Sequence, residues 1–530
     1  MSPRVLISDA LSPRAVEVFQ QRGIEVVERI GCKPDELRKI IGEFDGLAIR
    51  SSTKVTSSIL SAATRLRVIG RAGIGVDNVD IPGATARGIV VMNTPFGNSI
   101  TTAEHAISMM CALARQIPAA NVSTKEGKWE KSRFLGVELT GKTLGIIGCG
   151  NIGAIVADRA IGLKMKVLAA DPFLTPERAQ ALGVEKLELE ALLGRADFIS
   201  LHTPLTEQTR NVLDAKALAK CKQGVRIVNC ARGGLVDEAA LLAALQSGQV
   251  AGAALDVLAE EPARAHPLFG IENVVCTPHL GASTTEAQEN VALQIAEQMS
   301  DYLLTGAIVN ALNMPSVSAE DAPRLRPYMA LAEQLGSLVG QVTTGAFQSV
   351  GIDYEGHVAS LNIRPLTNTV LTGLLRPSSD FVNMVNAPVI ARDRGLAVAE
   401  TRRESESDYH TLIRVRVESA QGSLNLAGTL FSGKPRLVGV DDVALESELT
   451  ARMLFVRNKD APGFIGNLGT TLGRAGVNIA NFNLGRARPG ADAVCLVSVD
   501  EEISPEVMRQ IQDLPGVVSV KRLRFDASQF

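Results

Sequence analysis

The side chain of this sequence best suited to acid–base chemistry is that of His279. It follows a short apolar run, Val274 to Cys276, which has the length of a buried strand, and ligands of open α/β sheets bind at such strand ends. Histidine is the usual acceptor when a hydroxyl loses its proton. A nearby carboxylate would favour the protonated ring and fix its tautomer, and Glu261 is the candidate. We predict a His279–Glu261 pair; the alternatives are a satisfied loop histidine and a solvated acidic turn.

A hydroxy acid also needs a cation for its carboxylate and C2 oxygen. Arg232 lies just past another apolar run, Val225 to Asn229, and the glycines that follow clear the approach to it. The alternative is an ordinary surface cation. Among the other histidines, His105 is predicted to be structural on its helix, and His202 is predicted to pack at a strand end near the cofactor. The three candidates indicate removal of a proton and a hydride from a carbon that bears a hydroxyl.

A glycine fingerprint after the apolar run Thr143 to Ile147 predicts the site of the hydride acceptor. Gly148 permits a tight turn, Gly150 lets the backbone approach a pyrophosphate, and Gly153 lets the next helix pack against the strand. That helix, with apolar spacing from Ile152 to Ile161, would point its free N–H groups at the phosphates. The pattern therefore predicts a dinucleotide-binding turn.

An acidic residue follows the fingerprint at the spacing expected for ribose binding. A second apolar run, Lys166 to Ala170, ends at Asp171, which would accept hydrogen bonds from the ribose hydroxyls and repel a 2′-phosphate. Pro172 and Phe173 supply no compensating arginine. We therefore predict NAD rather than NADP. The alternative is an ordinary strand, turn and helix in which Asp171 is only a cap.

Length, charge and cysteine content restrict the class of protein. The 530 residues are too many for one core, so several domains are expected. The net charge of -3 supplies no field for nucleic acid or an anionic membrane, and no apolar stretch is long enough to span a bilayer. The seven cysteines are scattered, odd in number and without C-x-x-C pairs. We expect no metal site, no leader segment and a cytoplasmic location.

The elements that must hold these residues follow from the order of apolar and helical stretches. Five short apolar runs before Asn93 alternate with helical segments and predict a small parallel α/β domain. A helix from Thr101 to Arg115, capped near Thr101 or Thr102, leads to the fingerprint, and the helix Thr284 to Leu304 is expected to return the chain to the first domain. Ala311 to Pro315 is predicted to be a linker. An α+β region follows, and 451–530 has the order βαββαβ.

Four stretches resemble motifs of the D-2-hydroxyacid dehydrogenase family. They are Leu144 to Gly153, Asn229 to Glu238 (NCARGGLVDE), Leu255 to Pro262 (LDVLAEEP) and Thr277 to Thr284 (TPHLGAST). Arg71 to Asp80 (RAGIGVDNVD) and Asn93 to Asn98 (NTPFGN) narrow the resemblance to the members that oxidise 3-phosphoglycerate. The tail resembles the long form of those enzymes, in which an intervening domain precedes an ACT domain.

The resemblance implies a role for each of the following residues. The catalytic residues are Arg232, Glu261 and His279. The NAD-binding residues are Gly148, Gly150, Asn151, Ile152, Gly153, Asp171, Thr203, Pro204, Cys230, Ala231, Asp256, Gly281 and Ala282. The substrate-binding residues are Arg50, Arg71, Gly73 and Asn98. Lys131 and Arg133 match a segment that reaches a neighbouring subunit's site.

The resemblance also implies an α/β fold class with four domains. They are a Rossmann-like substrate-binding domain (1–98 and 284–312), a Rossmann NAD-binding domain (99–283), an α+β intervening domain (316–450) and a βαββαβ ACT domain (451–530). In the ACT domain, Asn458, Asp460 and Asn478 are the expected effector residues, with L-serine as the candidate ligand. Ordinary turn and cap roles are the alternative for Asp460 and Asn478.

The expected function is oxidation of 3-phosphoglycerate to 3-phosphohydroxypyruvate, the first step of serine biosynthesis, in a homodimer or homotetramer. One alternative in the same class acts on glyoxylate or hydroxypyruvate, and Arg50 and Arg71 argue against it. A second alternative is an NAD-sensing interaction protein of the corepressor type, whose tail would be disordered rather than an ACT domain.

Overall fold

The structure is a computed structural model of the chain, and it describes residues 2–317, 320–343, 345–379, 381–404, 409–420 and 422–525. The predicted domains 316–450 and 451–530 therefore include positions outside the described residues, the longest runs being 405–408 and 526–530. The chain forms two compact units, one of residues 1–93 and 295–530 and one of residues 94–294. The predicted boundaries between four domains stay a prediction.

The first sheet occupies the start of the first unit. Its strands are β1 (Arg4–Ile7), β2 (Glu25–Glu28), β3 (Gly46–Ile49), β4 (Val68–Arg71) and β5 (Val90–Asn93). Between them lie helices α1 (Pro13–Gln21), α2 (Pro34–Ile40), α3 (Ser57–Ala62) and α4 (Ile81–Ala86). The strands are all parallel, in the order β2-β1-β3-β4-β5, which confirms the predicted α/β arrangement.

The second unit is built on one larger parallel sheet. Its strands are β6 (Thr143–Ile147), β7 (Lys166–Ala170), β8 (Glu185–Lys186), β9 (Phe198–Leu201), β10 (Val225–Asn229), β11 (Val250–Leu255) and β12 (Val274–Cys276). Its helices are α5 (Ser99–Ala114), α6 (Ile117–Lys125), α7 (Asn151–Gly162), α8 (Pro176–Leu182), α9 (Leu189–Leu193), α10 (Ala215–Lys220) and α11 (Glu238–Ser247). The strand order is β12-β11-β10-β9-β6-β7-β8, with apolar layers on both faces.

Helix α5 begins at Ser99, two residues earlier than the sequence predicts. Asn98 is its N-cap residue, and Thr101 and Thr102 lie inside the first turn. The hydroxyl of Thr102 donates to the carbonyl of Asn98, so this threonine is satisfied within the helix rather than at its cap. A threonine before an apolar stretch can adopt either role, and the sequence alone did not distinguish them.

Helix α12 (Thr285–Thr305) returns the chain to the first unit, as the sequence predicts. From Ile295 onward it packs on the first sheet, where Gly46 and Gly70 make room for Met299. A Cβ added to Gly70 would lie 2.2 Å from the Met299 sulfur. The missing side chain on this strand is therefore what allows the helix to approach.

The stretch predicted to be a linker is fastened to the first sheet. The Asn313 side chain accepts a hydrogen bond from the Val91 N–H at 2.9 Å and donates to the carbonyl of Ile89 at 2.8 Å and the hydroxyl of Thr85 at 3.0 Å. The Leu312 N–H donates to the Val91 carbonyl. Residues 311–313 thus satisfy the free edge of β5, so the prediction of a linker is corrected here.

A mixed sheet follows, together with three helices, of which the first two are long. The helices are α13 (Ala322–Val342), α14 (Arg364–Leu375) and α15 (Ala387–Asp393). The strands are β13 (Phe347–Gly356), β14 (Ala397–Arg403), β15 (Thr411–Ser419), β16 (Gly422–Phe431), β17 (Lys434–Val440) and β18 (Val443–Ser447). Their order is β14-β13-β15-β16-β17-β18, and β13 and β14 are the parallel pair. This is the α+β region that the sequence predicts.

The last sheet has the predicted βαββαβ order. Its elements are β19 (Arg452–Lys459), α16 (Phe464–Arg474), β20 (Ile479–Arg486), β21 (Asp492–Val499), α17 (Pro505–Gln512) and β22 (Val517–Arg524). The sheet is antiparallel, in the order β20-β21-β19-β22. Leu454 and Val456 of β19 pack under the two helices, whereas Met453 and Phe455 enter the core of the mixed sheet. The two sheets therefore share one core.

Within the parts of the chain that the structure describes, no helix combines the length and the apolar character that a membrane span requires.

Candidate active site

The carboxyl edge of the seven-stranded sheet gathers the predicted catalytic residues and the dinucleotide fingerprint. Arg232, Glu261 and His279 follow β10, β11 and β12, which are neighbours at one end of the sheet. The glycine fingerprint follows β6 and Asp171 follows β7, beyond β9. The strand order reverses between β9 and β6, and open α/β sheets bind ligands at this kind of switch point.

His279 and Glu261 are in contact, as the sequence predicts. The Nδ1 atom of His279 lies 2.7 Å from Oε2 of Glu261. An ionised carboxylate only accepts hydrogen bonds, so Nδ1 carries the shared proton. The Nε2 atom is then left unprotonated and can accept a proton. With 48% of its side chain exposed, His279 is open to a substrate.

The pKa of Glu261 favours an ion pair with the protonated ring. Partial burial would raise the pKa of Glu261, but the hydrogen bond and the charge of His279 outweigh burial and lower it. The Leu258 N–H adds to the same effect by donating to Oε1 at 3.2 Å. Glu261 is therefore ionised at neutral pH and stabilises an imidazolium beside it.

A buried carboxylate, that of Asp256, holds the turn that carries His279. Asp256 is 2% exposed, and its oxygens accept hydrogen bonds from the Leu280 and Gly281 N–H groups at 2.7 and 2.8 Å and from the Thr277 hydroxyl. Its carbonyl accepts from the His279 N–H at 2.8 Å. His279 has a left-handed φ of 56°, which costs about 1 kcal/mol for a residue with a Cβ. The bonds to Asp256 offset that cost.

Two side chains of helix α5, those of Thr102 and His105, also hold this turn, and the sequence does not predict that they contact it. The Thr102 hydroxyl donates to the Gly281 carbonyl at 3.0 Å, and His105 Nε2 lies 3.1 Å from Asp256 Oδ1. Residues three apart share a helix face, and these two polar groups sit on the apolar face of α5. That spacing is the signal that would have identified His105 as more than a structural histidine.

The Asp256 carboxylate is held in its charged form. Burial would raise the pKa of Asp256, but hydrogen bonds from His105, Thr277 and the Leu280 N–H lower it below its usual value. A full negative charge makes each of these bonds stronger than a neutral one. The Asp256 oxygens are thus already bonded to groups of the turn. A contact between Asp256 and NAD stays a prediction.

Asn229 and Gly233 shape the loop that carries Arg232. The Asn229 side chain donates to the Arg232 carbonyl at 2.9 Å and accepts from the Ala231 N–H at 3.1 Å. A Cβ on Gly233 would lie 1.9 Å from the Leu258 carbonyl oxygen. Glycine at this position therefore lets the loops after β10 and β11 pack together. The sequence predicts a different role for it, that of clearing the approach of the substrate to Arg232.

The glycine fingerprint has the predicted turn and packing geometry. Gly148 has a φ of 89°, and a Cβ there would lie 2.7 Å from the His202 carbonyl oxygen. A Cβ on Gly153 would lie 2.1 Å from the Gly148 carbonyl oxygen, so only glycine lets α7 start so close to β6. The Cβ side of Gly150 is open, and within the described residues this N-cap position offers no side chain to the first N–H groups of α7. This arrangement fits a pyrophosphate.

Asp171 is tied to the fingerprint loop through its two oxygens. One accepts from the Cys149 N–H and the other from the Phe173 N–H, each at 2.8 Å. Each carboxylate oxygen keeps a further lone pair for a ribose hydroxyl. The loop and the acid therefore form one unit, which fits the ribose end of a dinucleotide.

His202, after β9, and Cys230, after β10, are both uncharged at neutral pH. Burial lowers the pKa of His202 to about 4, so its ring stays neutral. It packs at the strand end as predicted, with Nε2 2.8 Å from the Ser200 hydroxyl. Thr203 and Pro204 follow it in the same loop. Burial, and the charge of Asp256, raise the pKa of the Cys230 thiol well above its usual range.

The predicted phosphate-binding arginines lie in the first unit, at the ends of neighbouring strands. Arg50 follows β3 and Arg71 ends β4. Gly73 has a φ of 138°, and a Cβ there would lie 1.6 Å from Arg71 Nη1, so this glycine makes room for the guanidinium. Asn98 belongs to the second unit, where its Oδ1 is buried and accepts no hydrogen bond within the described residues.

The structure does not bring the predicted effector residues together within one chain. Asp460 accepts hydrogen bonds from Arg486 at 2.7 Å and from the Gly490 N–H at 2.9 Å. Asn478 donates to Asp500 at the opposite end of β21. The eight residues of β21 span about 25 Å. Asn458, which pairs with Ala493 near the Asp460 end of β21, is buried, and its Oδ1 is unpaired among the described residues.

Three models of protein families match successive parts of the chain. The D-isomer specific 2-hydroxyacid dehydrogenase NAD binding domain matches residues 107–281, the D-3-phosphoglycerate dehydrogenase intervening domain matches 324–441, and the ACT domain matches 452–516. The first match contains the fingerprint, Arg232, Glu261 and His279. The fold and the site thus define an NAD-dependent dehydrogenase of D-2-hydroxy acids, which confirms the predicted cofactor and the predicted tail.

Relatives that match along almost the whole chain narrow this class. D-3-phosphoglycerate dehydrogenase of Synechocystis sp. is 42% identical over 97% of this chain and 93% of that protein. The enzymes of the same name from Archaeoglobus fulgidus and Bacillus subtilis are 41% and 40% identical, over 97% and 98% of this chain and 98% and 99% of their own length. The chain belongs to the D-3-phosphoglycerate dehydrogenase family.

Solved structures match more than half of the chain. The TT0316 protein of Thermus thermophilus is 35% identical, with a TM-score of 0.54, and covers 58% of this chain and 99% of its own. A glyoxylate reductase from Paecilomyes thermophila is 30% identical, with a TM-score of 0.55, over 59% of this chain and 98% of its own. These two matches cover 58% and 59% of this chain, whereas the relatives above cover 97% to 98% of it.

The choice of cofactor is predicted to depend on Asp171. Replacing it with alanine removes the two predicted ribose hydrogen bonds and the charge that repels a 2′-phosphate. We expect the ratio of kcat/KM for NAD to kcat/KM for NADP to fall by about tenfold or more, as for loss of hydrogen bonds to a charged group. Asp214, which caps α10 through the Ala217 N–H, is a matched control. An unchanged ratio in Asp171→Ala would show that another residue reads the ribose.

Proton transfer is predicted to depend on His279 and its partner. His279→Asn should lower kcat by roughly 10²–10⁴-fold, the usual range for loss of an acid–base group, and should leave the Kd of NADH nearly unchanged. Glu261→Gln should move the acid limb of the pH profile of kcat/KM to lower pH, because the imidazolium loses its anionic partner.

His266→Asn is the control for these variants, since His266 is also paired with a glutamate, Glu238, at 3.1 Å. Wild-type turnover by His279→Asn would eliminate the assignment. A pH profile that does not move in Glu261→Gln would make Glu261 a bystander.

Proposed function

We propose that this chain oxidises 3-phosphoglycerate to 3-phosphohydroxypyruvate with NAD as the hydride acceptor, the first step of serine biosynthesis. The observation that carries the proposal is the His279–Glu261 pair, 2.7 Å apart, on the sheet edge that also carries the dinucleotide fingerprint. The full-length relatives named D-3-phosphoglycerate dehydrogenase support the choice of substrate.

The loops after β6, β7, β9 and β10 would hold the cofactor. Gly150 and the free N–H groups of Asn151 and Ile152 suit the pyrophosphate, and Asp171 suits the adenosine ribose. Thr203 and the backbone of Cys230 and its neighbours would contact the rest, as the resemblance implies. Bound NAD supplies a nicotinamide ring that accepts hydride from C2 of the substrate.

The chain's own contribution is to hold and move one proton. Nε2 of His279 accepts the proton of the C2 hydroxyl, because Nδ1 is committed to Glu261. The imidazolium that forms is stabilised by the ionised Glu261, whose pKa lies below its usual value. The turn that carries His279 is held by the hydrogen bonds that its N–H groups donate to Asp256, and the ring is held by Glu261, so little reorganisation is needed when the proton moves.

Three arginines would recognise the two anionic ends of the substrate. Arg232 would bind the carboxylate and C2 oxygen. Arg50 and Arg71, at the ends of neighbouring strands, would bind the phosphate, for which a planar guanidinium is well suited. Gly73 leaves the space that the guanidinium of Arg71 occupies. The buried Oδ1 of Asn98 can only accept a hydrogen bond, so the predicted contact of Asn98 would be with a substrate hydroxyl and not with an anionic group.

Both alternatives are less well supported. A reductase acting on glyoxylate has no use for a phosphate site, and the glyoxylate reductase structure corresponds to only 59% of the chain. An NAD-sensing interaction protein does not require a general base with a fixed tautomer. It would also be expected to have a disordered tail, whereas the tail here forms an ACT fold.

We also infer the domain limits, assembly and location of the enzyme. The proposed domains are 1–98 with 284–312, 99–283, 316–450 and 451–530. A homodimer or homotetramer is supported by exposed apolar side chains on one segment, of which Trp129 and Leu135 are each 86% exposed and Val122 is 54% exposed. The seven free thiols suit a reducing cytoplasm.

Phosphate recognition provides the test of the proposed function. Wild-type enzyme with NAD should prefer 3-phosphoglycerate to D-glycerate, which lacks the phosphate. Arg50→Ala and Arg71→Ala should lower kcat/KM for 3-phosphoglycerate by about tenfold or more, because a charge-assisted bond to phosphate is lost, and should change kcat/KM for D-glycerate little.

Arg65, which pairs with Asp45 near the amino ends of the same strands, is the control arginine. A wild-type preference for D-glycerate would reject the proposed substrate. Equal losses for the two substrates would place Arg50 and Arg71 at the carboxylate or in the fold.

We propose that the ACT domain binds an amino acid, with L-serine as the candidate, across two copies of the domain. One chain holds Asp460 and Asn478 at opposite ends of β21, so a small ligand can touch both only if they come from different chains. Asp460 suits the ammonium and Asn478 a polar side chain. Binding lowers activity only if serine prefers a less active state.

Serine should bind to the full-length enzyme and inhibit it. Titration by calorimetry and by initial rate should give matching dissociation and inhibition constants, and Asp460→Asn and Asn478→Ala should raise both. Asp513, a charged residue at the end of α17, is a control for surface charge. Absence of binding and inhibition at millimolar serine would retire the sensing role.

A further inference from the structure

A short loop after β3, residues Arg50 to Thr53, is held at both of its ends by side chains from distant parts of the chain. One is Asp9, which follows β1, and the other is Asn78, which follows β4. The strands β1 and β4 flank β3 in the first sheet, so the three segments meet at its carboxyl edge. We call these two sets of hydrogen bonds, from Asp9 and from Asn78, the clamps of the loop. Neither can be predicted from the sequence, because each joins residues more than 20 positions apart.

Both carboxylate oxygens of Asp9 accept hydrogen bonds from the loop. It is 4% exposed, and its Oδ2 accepts hydrogen bonds from the Arg50 N–H at 2.6 Å and the Thr53 N–H at 3.1 Å. Its Oδ1 accepts from the Thr53 hydroxyl at 2.8 Å, and the Ser8 hydroxyl lies 2.9 Å from the same oxygen of Thr53. A buried carboxylate is costly unless its lone pairs are used, and here the loop uses them.

Asn78 completes the clamp through the carbonyl groups of the same two residues. Its side-chain NH₂ donates to the Arg50 carbonyl at 2.7 Å and to the Thr53 carbonyl at 2.6 Å. Asp9 thus binds the N–H groups of Arg50 and Thr53, and Asn78 binds their carbonyl groups. The backbone N–H and carbonyl groups at each end of the loop therefore all have hydrogen-bond partners in these two side chains.

The middle of the loop and the Arg50 side chain are left available. Ser51 and Ser52 are exposed between the clamped ends. Among the described residues, the Arg50 guanidinium has neither a hydrogen bond nor an ion pair, in contrast to Arg65 in the same unit, which pairs with Asp45. A clamped backbone that carries a free cation is the arrangement expected of a preorganised anion site.

We propose that Asp9, with Asn78, is a positioning residue for recognition of the substrate phosphate: it fixes the backbone of Arg50 so that the guanidinium meets the phosphate without ordering the loop first. The proposal rests on the proposed function, in which Arg50 binds the phosphate of 3-phosphoglycerate. Asp9 itself touches no substrate. Its effect on specificity should therefore disappear when the Arg50 side chain is absent.

A double-mutant cycle on the full-length enzyme tests this. The measured quantity is the ratio of kcat/KM for 3-phosphoglycerate to kcat/KM for D-glycerate, in wild type, Asp9→Asn, Arg50→Ala and the double variant. Asparagine keeps the shape of Asp9 but removes its negative charge, and its NH₂ group cannot accept the hydrogen bond that the Thr53 hydroxyl donates to Oδ1. We expect Asp9→Asn to lower the ratio by about tenfold, as for loss of bonds to a charged acceptor, and to have no further effect in Arg50→Ala.

Two further variants control for the fold. Asp45→Asn is the structural control, because Asp45 accepts the Arg4 N–H at 2.9 Å near the other edge of the same sheet, and it should leave the ratio unchanged. Thr53→Val removes one donor to Asp9 without changing size. If Asp9→Asn does not fold, Thr53→Val should still lower the ratio.

The outcomes separate this inference from the proposed function. A wild-type enzyme that does not prefer 3-phosphoglycerate would remove the proposed function before any variant is compared. A wild-type preference that survives in both Asp9→Asn and Thr53→Val would overturn the positioning role alone. Equal losses from Asp9→Asn with and without the Arg50 side chain would also overturn it, since Asp9 would then act through the fold.

Discussion

The catalytic edge of this protein depends on one buried carboxylate, that of Asp256. Four hydrogen-bond donors surround its two oxygens, and three of them lie in residues 277–281, the turn that carries His279. Without these bonds, the turn would have to keep His279 at a positive φ by itself, and the contact with Glu261 would have no fixed geometry. The interaction converts a flexible strand end into a rigid support for a general base.

The rest of the second unit follows from the same parallel sheet. The carboxyl ends of parallel strands all lie at one edge of the sheet. Residues that follow different strands are therefore close together there, although they are far apart in the sequence. The neighbours β10, β11 and β12 supply the groups for proton transfer and carboxylate binding, and β6 and β7 supply those for the cofactor. Glycines at 148, 153 and 233 are needed where the backbone segments approach most closely.

Sequence reasoning predicted the elements and the residues that act directly, and it missed the residues that hold them. The strand Thr143–Ile147, the fingerprint and the His279–Glu261 pair follow local rules of spacing and residue type, and the structure places them accordingly. The contacts made by His105, Asp9 and Asn78 depend on which distant segments become neighbours. Local propensity carries no information about such neighbours. The stretch 311–315 shows the same limitation. Its sequence alone predicts a linker, because nothing in it indicates that Asn313 will bond to the backbone groups of Ile89 and Val91 at the edge strand β5.

The support that Asp256 gives to the catalytic turn is tested most directly by the kinetics of Asp256→Asn. Asparagine would present an NH₂ group to N–H donors, so kcat should fall by about tenfold or more at saturating NAD, with a changed pH profile and a nearly unchanged unfolding temperature. A rise in KM for NAD with wild-type kcat and an unmoved pH profile would contradict this role, because Asp256 would then be a cofactor contact and not the support of His279.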